Sequence, residues 1–216
     1  MSPVRTFGAV ARKPTWLLPV AIATGLALPL SELILSRTDW RAVMTERMAR
    51  SDRKLTESQM DTAVEQMRRL SWMWDVFALL APVAVTAAIA GILRASCQAF
   101  GWEVRFSQSM GVTAHAFLPG TLGSIGLLAV LWNRESINPQ TVGDALHVNL
   151  GFLADAHDRV LHGLLSSLDL FSFWTLGLLV LGISAAARTS LARAAALVLI
   201  LWGLFVLGKA GIAAVF

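Results

Sequence analysis

Long runs of apolar residues alternate with short polar segments along the chain, and five of these runs are long enough to cross a membrane. A hydrocarbon core about 30 Å thick needs about 20 mostly apolar residues to cross it as an α-helix. The runs occupy residues 16–35, 72–93, 110–132, 170–187 and 191–216. Strands are not an alternative, because the sequence lacks the alternating segments of about nine to eleven residues that a membrane β-barrel needs. The pattern predicts an all-α, polytopic membrane bundle of about five transmembrane helices.

Two polar segments show a helical periodicity of their own. Between the first two spans, apolar residues recur at helical spacing in residues 38–50 and again in 57–70. Thr56 and Gln59 fit a capping box that begins the second of these helices. The segment between the third and fourth spans starts irregularly at Asn138 and Pro139 and becomes amphipathic over residues 153–167. We expect these amphipathic helices on the membrane surface or at the outer end of the bundle.

The composition agrees with lipid as the main solvent. Apolar residues make up 56% of the 216 positions and charged residues 15%, with a mean hydropathy of +0.62. A soluble protein has about half apolar and about a quarter charged residues. The net charge of +4 comes from basic residues placed between the apolar runs and not on a separable module. We therefore expect one membrane domain, residues 1–216, with membrane lipids and not nucleic acid as its partner.

The basic residues also predict an orientation. Arg and Lys precede the first span and occur in the second and fourth loops, which lie on one face of a five-helix chain. The positive-inside rule makes that face, and the N-terminus, cytoplasmic. The first loop disagrees, since residues 37–70 hold eight Arg and Lys and six Asp and Glu. We give that loop less weight because its two kinds of charge are interleaved on helical segments.

Several segments carry a family resemblance, namely Thr6-Phe7, Arg12-Lys13-Pro14-Thr15-Trp16, Leu55-Thr56-Glu57-Ser58-Gln59, and Leu168-Asp169-Leu170-Phe171-Ser172-Phe173-Trp174 with Gly182. Together they resemble bacterial members of the Yip (Ypt-interacting protein) domain family, in order of elements over nearly the whole chain. The pattern Asp-x-Phe-x-x-Trp, formed here by Asp169, Phe171 and Trp174, is its most specific part.

The resemblance implies five transmembrane helices, a cytoplasmic N-terminus and a short C-terminus on the far side. For a bacterial member it implies the inner (cytoplasmic) membrane. Eukaryotic relatives are implicated in vesicle trafficking, where they bind Rab-type GTPases and shape endoplasmic reticulum and Golgi membranes. Only about 15 residues precede the first span here, whereas eukaryotic members have a long cytoplasmic N-terminal region, and this difference argues against GTPase recruitment.

Asp169 and Lys209 form a candidate pair. Each lies twenty residues from Thr189, near the turn expected between the fourth and fifth spans. Equal offsets in an antiparallel hairpin place both side chains at one depth. A charge inside the bilayer costs at least about 2.5–3.5 kcal/mol, so we expect the two to lie close together, in direct contact or through water. In the alternative arrangement, Lys209 extends to the outer surface and Asp169 caps the fourth span.

Histidines raise the question of a metal site. His147, His157 and His162 lie near Asp144, Asp155 and Asp158 in the third loop. These residue types suit zinc, but a solvated polar surface explains them better, because the spacing does not place three ligands on one helix face. His115, inside the third span, is expected to be a hydrogen-bonded packing residue and not a ligand or proton carrier.

Small residues mark places of close helix approach. Gly120, Gly123 and Gly126 form a stripe of small residues after Pro119 in the third span. Gly208 and Gly211 form a similar stripe in the fifth span. Packing within the chain is the expected role. The alternatives are a dimer face, or a substrate path where Pro119 and Gly120 interrupt the helix.

Three functions remain open. The first is a non-enzymatic membrane protein of the Yip-domain type that organises or scaffolds lipids, partner proteins or copies of itself. The second is a small transporter or channel component with a polar path near Pro119, Asp169 and Lys209. The third is an enzyme or metal protein built on the third loop. We expect the first, without a cofactor, because no phosphate-binding loop, nucleophile elbow or metalloprotease motif is present in the sequence.

Overall fold

The computed structural model describes residues 2–50, 56–139, 141–146, 148–154 and 159–215. Within these residues the chain is helical and has no strand. The helices are α1 (Pro3–Arg12), α2 (Leu17–Ser36), α3 (Trp40–Arg50), α4 (Glu57–Arg69), α5 (Trp72–Ala99), α6 (Phe106–Ala116), α7 (Leu118–Trp132), α8 (Arg159–Leu165), α9 (Leu170–Ala187) and α10 (Leu191–Val215).

Five helical segments are long and apolar enough to cross a membrane, and they confirm the predicted polytopic bundle. They are α2, α5, α6 together with α7, α9 and α10. The second span ends at Ala99 rather than at residue 93, and the third begins at Phe106 rather than at residue 110. Both extensions lie at the same end of the bundle, on either side of the loop that contains Gly101.

The helix α1 was not predicted. Its apolar side chains Phe7, Val10 and Ala11 are buried, and they lie at positions i, i+3 and i+4. The helix packs against α6 and α9, so the basic N-terminal segment forms part of the bundle. The side-chain amide of Gln108 in α6 donates a hydrogen bond to the carbonyl of Ala11 (2.8 Å) and fixes the end of α1.

The bundle core is centred on α6 and α9. Val112 and Ile183 are fully buried there, together with Cys97 of α5 and Ala194 of α10. A smaller cluster of Leu33, Leu131 and Ile137 closes the opposite end. The outward faces of the spans carry large exposed apolar side chains, as expected for helices surrounded by lipid.

The first loop forms a pair of packed helices. Thr56 and Gln59 make the predicted capping box at the start of α4. Arg41 of α3 pairs with Glu57 and, at 3.2 Å, with Asp61 of α4. These contacts join α3 and α4 at the end of the bundle where α2 finishes and α5 begins.

Two connections are held by specific hydrogen bonds. Arg37 follows α2 and donates to the carbonyls of Trp132, the last residue of α7, and of Arg134 just beyond it, each at 2.6 Å, so a cation lies at the C-terminal end of α7. Between α9 and α10, Arg188 adopts a left-handed conformation (φ 52°) that ends α9. The hydroxyl of Ser184 then donates to the carbonyl of Thr189 (2.7 Å) and tightens the turn.

The third loop follows the prediction in part. The segment predicted as an amphipathic helix, residues 153–167, contains the short helix α8, and a 3-10 turn, Leu150–Leu153, ends at its first residue. Residues 155–158 lie outside the described residues. The helix α8 packs against α10, which places the end of the third loop beside the last span.

Candidate functional site

The third span is interrupted at Phe117, between α6 and α7. Pro119, the second residue of α7, has no backbone N–H, so no hydrogen bond reaches back from this position into α6. The N–H of Gly120 bonds to the carbonyl of Phe117 (3.0 Å), and the hydroxyl of Thr121 bonds to the carbonyl of Leu118 (2.6 Å). Two large apolar cavities and a smaller one adjoin this break.

The larger cavity, which we call the lateral groove, has a volume of about 530 Å³. It lies between α5, the break at Phe117, α9 and α10, and its lining is apolar apart from Ser172 and Thr175. Ile92 and Phe205 line it and are 54% and 67% exposed. The groove therefore opens sideways, toward the lipid.

The second cavity has a volume of about 370 Å³ and lies between α1, α7 and α9. Phe7, His115, Pro119 and Trp174 are among the residues that line it. The Nδ1 of His115 lies 2.8 Å from the carbonyl oxygen of Gly111, one turn earlier in the same helix. This bond within the helix matches the packing role expected for His115.

The segment from Asp169 to Trp174 contributes an aromatic ring to each of these two cavities. Phe171 lines the lateral groove, and its ring also lies over Gly123 of α7. Trp174, almost one turn later, lines the second cavity. The two aromatic positions that carry the family resemblance thus line different cavities.

Asp169 caps α9. Its carboxylate accepts a hydrogen bond from the backbone N–H of Ser172 (2.9 Å) and another from the Ser172 hydroxyl. A carboxylate at this position also interacts favourably with the positive end of the helix dipole. Its two hydrogen bonds therefore hold the carboxylate on its own helix.

Lys209 contacts hydroxyl groups at the same end of the bundle. Its Nζ donates to Ser166 Oγ (2.9 Å) and Ser167 Oγ (3.2 Å), which precede Asp169 by only a few residues. Among the described side chains, Lys209 forms no ion pair with Asp169. Asp169 therefore caps the fourth span, as in the alternative arrangement considered above. Lys209 is held by Ser166 and Ser167, which lie close to that cap in the chain.

The glycine positions divide into two groups. A Cβ at Gly123 would meet the ring of Phe171 at 3.1 Å, and one at Gly126 would meet Leu146 at 3.4 Å, so these two glycines serve packing within the chain. Gly120 lines the lateral groove and has open space around its Cβ position. Gly208 and Gly211 likewise have nothing within 4 Å.

The metal hypothesis for the third loop falls largely on residues that the structure does not describe. His147, Asp155, His157 and Asp158 lie outside the described residues, as does the side chain of Asp144. His162 belongs to α8, and its Nε2 lies 3.2 Å from the Cβ position of Gly151. Within the described part of the chain, no three metal-binding side chains come together.

One polar cavity was not predicted. It has a volume of about 240 Å³ and lies between α2, α4 and α5, where Glu32, Arg68 and Asp75 line it. The hydroxyl of Ser31 donates to Asp75 (3.0 Å). A signal for this cavity is present in the sequence, since Glu32 and Asp75 are acidic residues near the facing ends of consecutive antiparallel spans.

The comparisons with known proteins agree with this architecture. No curated protein and no solved structure matches the chain. A family model does, and it spans residues 1–212, from α1 through most of α10. The match includes the Asp169 to Trp174 segment and Gly182, which carried the resemblance. The chain is a member of the Yip1 domain family of membrane proteins.

Proposed function

We propose that the chain is a non-enzymatic membrane protein that organises lipids by holding them against its helices. The observation that carries this proposal is the lateral groove, an apolar cavity that opens sideways between the membrane-spanning helices. Outside the groove the spans present large apolar side chains, while the buried side chains of the described core are mostly apolar. A surface of this kind suits acyl chains better than a hydrated solute.

A transport path is less well supported. Such a path needs polar groups along an interior route, and intramembrane charges usually mark it. Both large cavities beside the break at Phe117 are lined mainly by apolar side chains, with a few hydroxyls and the ring of His115 as polar groups. Asp169 lies at the start of α9 and Lys209 near the end of α10, and neither is among the residues that line these two cavities. The residues proposed for a path therefore do not share one cavity.

The distribution of basic residues supports a proposal for the location. We place the chain in a bacterial inner membrane with its N-terminus in the cytoplasm, because the basic segments before α2 and around the turn between α9 and α10 favour that side. Other membrane proteins or a second copy of the chain are further candidate partners, for which the exposed Gly208 and Gly211 provide a surface for close approach.

The test is to count the phospholipids that remain bound after purification in mild detergent, by native mass spectrometry. Gly120→Leu fills the lateral groove from a position with open space around it. Gly177→Leu adds the same side chain on an exposed part of α9 outside the groove, and serves as the control. We expect wild type and Gly177→Leu to retain lipid and Gly120→Leu to lose most of it. Equal retention by all three, or none in the wild type, would contradict the proposal.

A further inference from the structure

We infer that the lateral groove binds a phospholipid with a net anionic headgroup, whose acyl chain lies in the groove and whose phosphate contacts Lys209. This inference rests on the proposed function and specifies the ligand. It depends on three features of the structure: the register of α10, the length of the groove, and the hydrogen-bond partners of the Lys209 ammonium group.

The register of α10 places Lys209 at the end of the groove. Trp202 and Phe205 line the groove, and Lys209 follows them at positions i, i+3 and i+7. Residues at this spacing lie on one face of a helix. The ammonium group therefore lies one turn beyond Phe205, along the face of α10 that lines the apolar cavity.

The length of the groove matches one leaflet. At 1.5 Å per residue from Leu191, Val198 lies about 10 Å and Lys209 about 27 Å along α10. With Leu191 at one boundary of a hydrocarbon core about 30 Å thick, Lys209 lies near the far boundary, and Val198 lies on the Leu191 side of the middle. The roughly 17 Å between these levels compares with about 15 Å for half of the core. One acyl chain can therefore extend along the groove while its headgroup stays at the level of Lys209.

The ammonium group of Lys209 is held in place by two uncharged hydroxyl groups. Lysine has three N–H donors, and two of them go to the hydroxyl oxygens of Ser166 and Ser167. These hydroxyls in turn donate to the carbonyl of Gly163, at 3.2 and 2.9 Å. These contacts leave the ammonium group of Lys209 with one further N–H donor.

Asp169, which follows Ser166 and Ser167 in the chain, has its carboxylate bound elsewhere. Both oxygens of Asp169 accept hydrogen bonds from Ser172 at the start of α9. No described carboxylate pairs with Lys209. A cation near the edge of the hydrocarbon, next to an apolar groove, favours a phosphate from the surrounding leaflet. A zwitterionic headgroup carries its own cation beside the phosphate, so its binding gains less electrostatic free energy from Lys209 than the binding of an anionic headgroup does.

The experiment uses Trp202 as a probe inside the groove. The full chain is reconstituted in phosphatidylcholine vesicles, and phosphatidylglycerol with brominated acyl chains is added in increasing mole fraction. Bromine quenches indole fluorescence at contact. The difference between the wild type and Trp202→Phe isolates the signal of Trp202 from the other seven tryptophans. Each variant below is measured with and without Trp202→Phe.

We expect Lys209→Gln to raise the mole fraction at half-quenching about fivefold, which is the effect of one basic residue beside an anionic surface. Lys209→Arg keeps the charge and should behave as wild type. Arg193→Gln removes a cation at the other end of α10 and should change nothing. If Lys209→Gln behaves as wild type, or if brominated phosphatidylcholine quenches Trp202 equally at the same mole fraction, the headgroup inference is overturned.

Gly120→Leu separates this inference from the proposed function. If it abolishes quenching of Trp202 while Lys209→Gln has no effect, lipid does occupy the groove but Lys209 does not select its headgroup. If Gly120→Leu leaves quenching by both lipids unchanged, the groove holds no lipid, and the proposed function and the inference both fail.

Discussion

At the scale of single residues, Gly182 of α9 is the position least able to accept a side chain. A Cβ there would overlap a methyl group of Val112 and come within 3.0 Å of the ring of Phe7. Overpacking of this kind costs about 1–3 kcal/mol. We expect Gly182→Ala to lower the thermal unfolding midpoint in detergent, while Gly177→Ala, with open space around it, leaves it unchanged or raises it. Adding Val112→Ala should restore part of the loss, and an unchanged midpoint for Gly182→Ala would show that α1 and α6 do not pack on this glycine.

Asp169 and Lys209 allow a second prediction at the same scale. The carboxylate caps α9 and the ammonium group binds two serines. Removing the cap by Asp169→Ala should cost about 0.5–2 kcal/mol, and Asp169→Asn should recover most of it. Because the two side chains have separate partners, the effects of Asp169→Ala and Lys209→Gln on unfolding should add to within about 0.5 kcal/mol. A larger coupling energy in this double-mutant cycle would instead indicate an ion pair between them.

At the scale of helices, apolar run length predicted the spans, because about 20 apolar residues have few stable alternatives in lipid. Short helices were harder to predict from the sequence. The helix α1 has a visible apolar spacing in Phe7, Val10 and Ala11, but its stability depends on α6 and α9, which no local pattern reveals. Pro119 and Gly120 indicated an interruption of the third span, yet the sequence could not show that cavities lie beside it. The placement of Phe171 and Trp174 likewise required the packed bundle.

The docking of α1 can be measured directly. Phe7 is 3% exposed and lies against the Gly182 position, so Phe7→Ala removes the main anchor of this helix. We expect faster hydrogen exchange throughout residues 3–12, with the exchange of α9 little changed. Val4→Ala is the matched control, since Val4 lies in the same helix and is 63% exposed. Exchange that is fast in the wild type, or unaffected by Phe7→Ala, would show that α1 is not docked.

At the scale of the whole molecule, the open question is which end of the bundle faces the cytoplasm. The basic residues of the first loop favour the orientation opposite to the one that the other basic segments favour. Several of these first-loop residues, however, form ion pairs or hydrogen bonds within the protein. Arg41 pairs with Glu57 and Asp61, and Arg69 pairs with Glu65. Arg37 binds the carbonyls at the end of α7. The basic residues around α1 and in the loops after α5 and α9 have no such ion pairs among the described residues, so they should determine the orientation.

Labelling with a membrane-impermeant maleimide in intact cells tests this orientation. Cys97 is the only cysteine and is fully buried, so the natural chain gives little background and needs no prior substitution. Glu103→Cys places a thiol in the loop between α5 and α6, and Glu135→Cys places one after α7, at the opposite end of the bundle. Both positions are exposed. With the N-terminus inside, Glu135→Cys should be labelled from outside and Glu103→Cys only after permeabilisation. The reverse pattern would show that the first loop determines the orientation and would place Lys209, with any anionic lipid it binds, in the cytoplasmic leaflet.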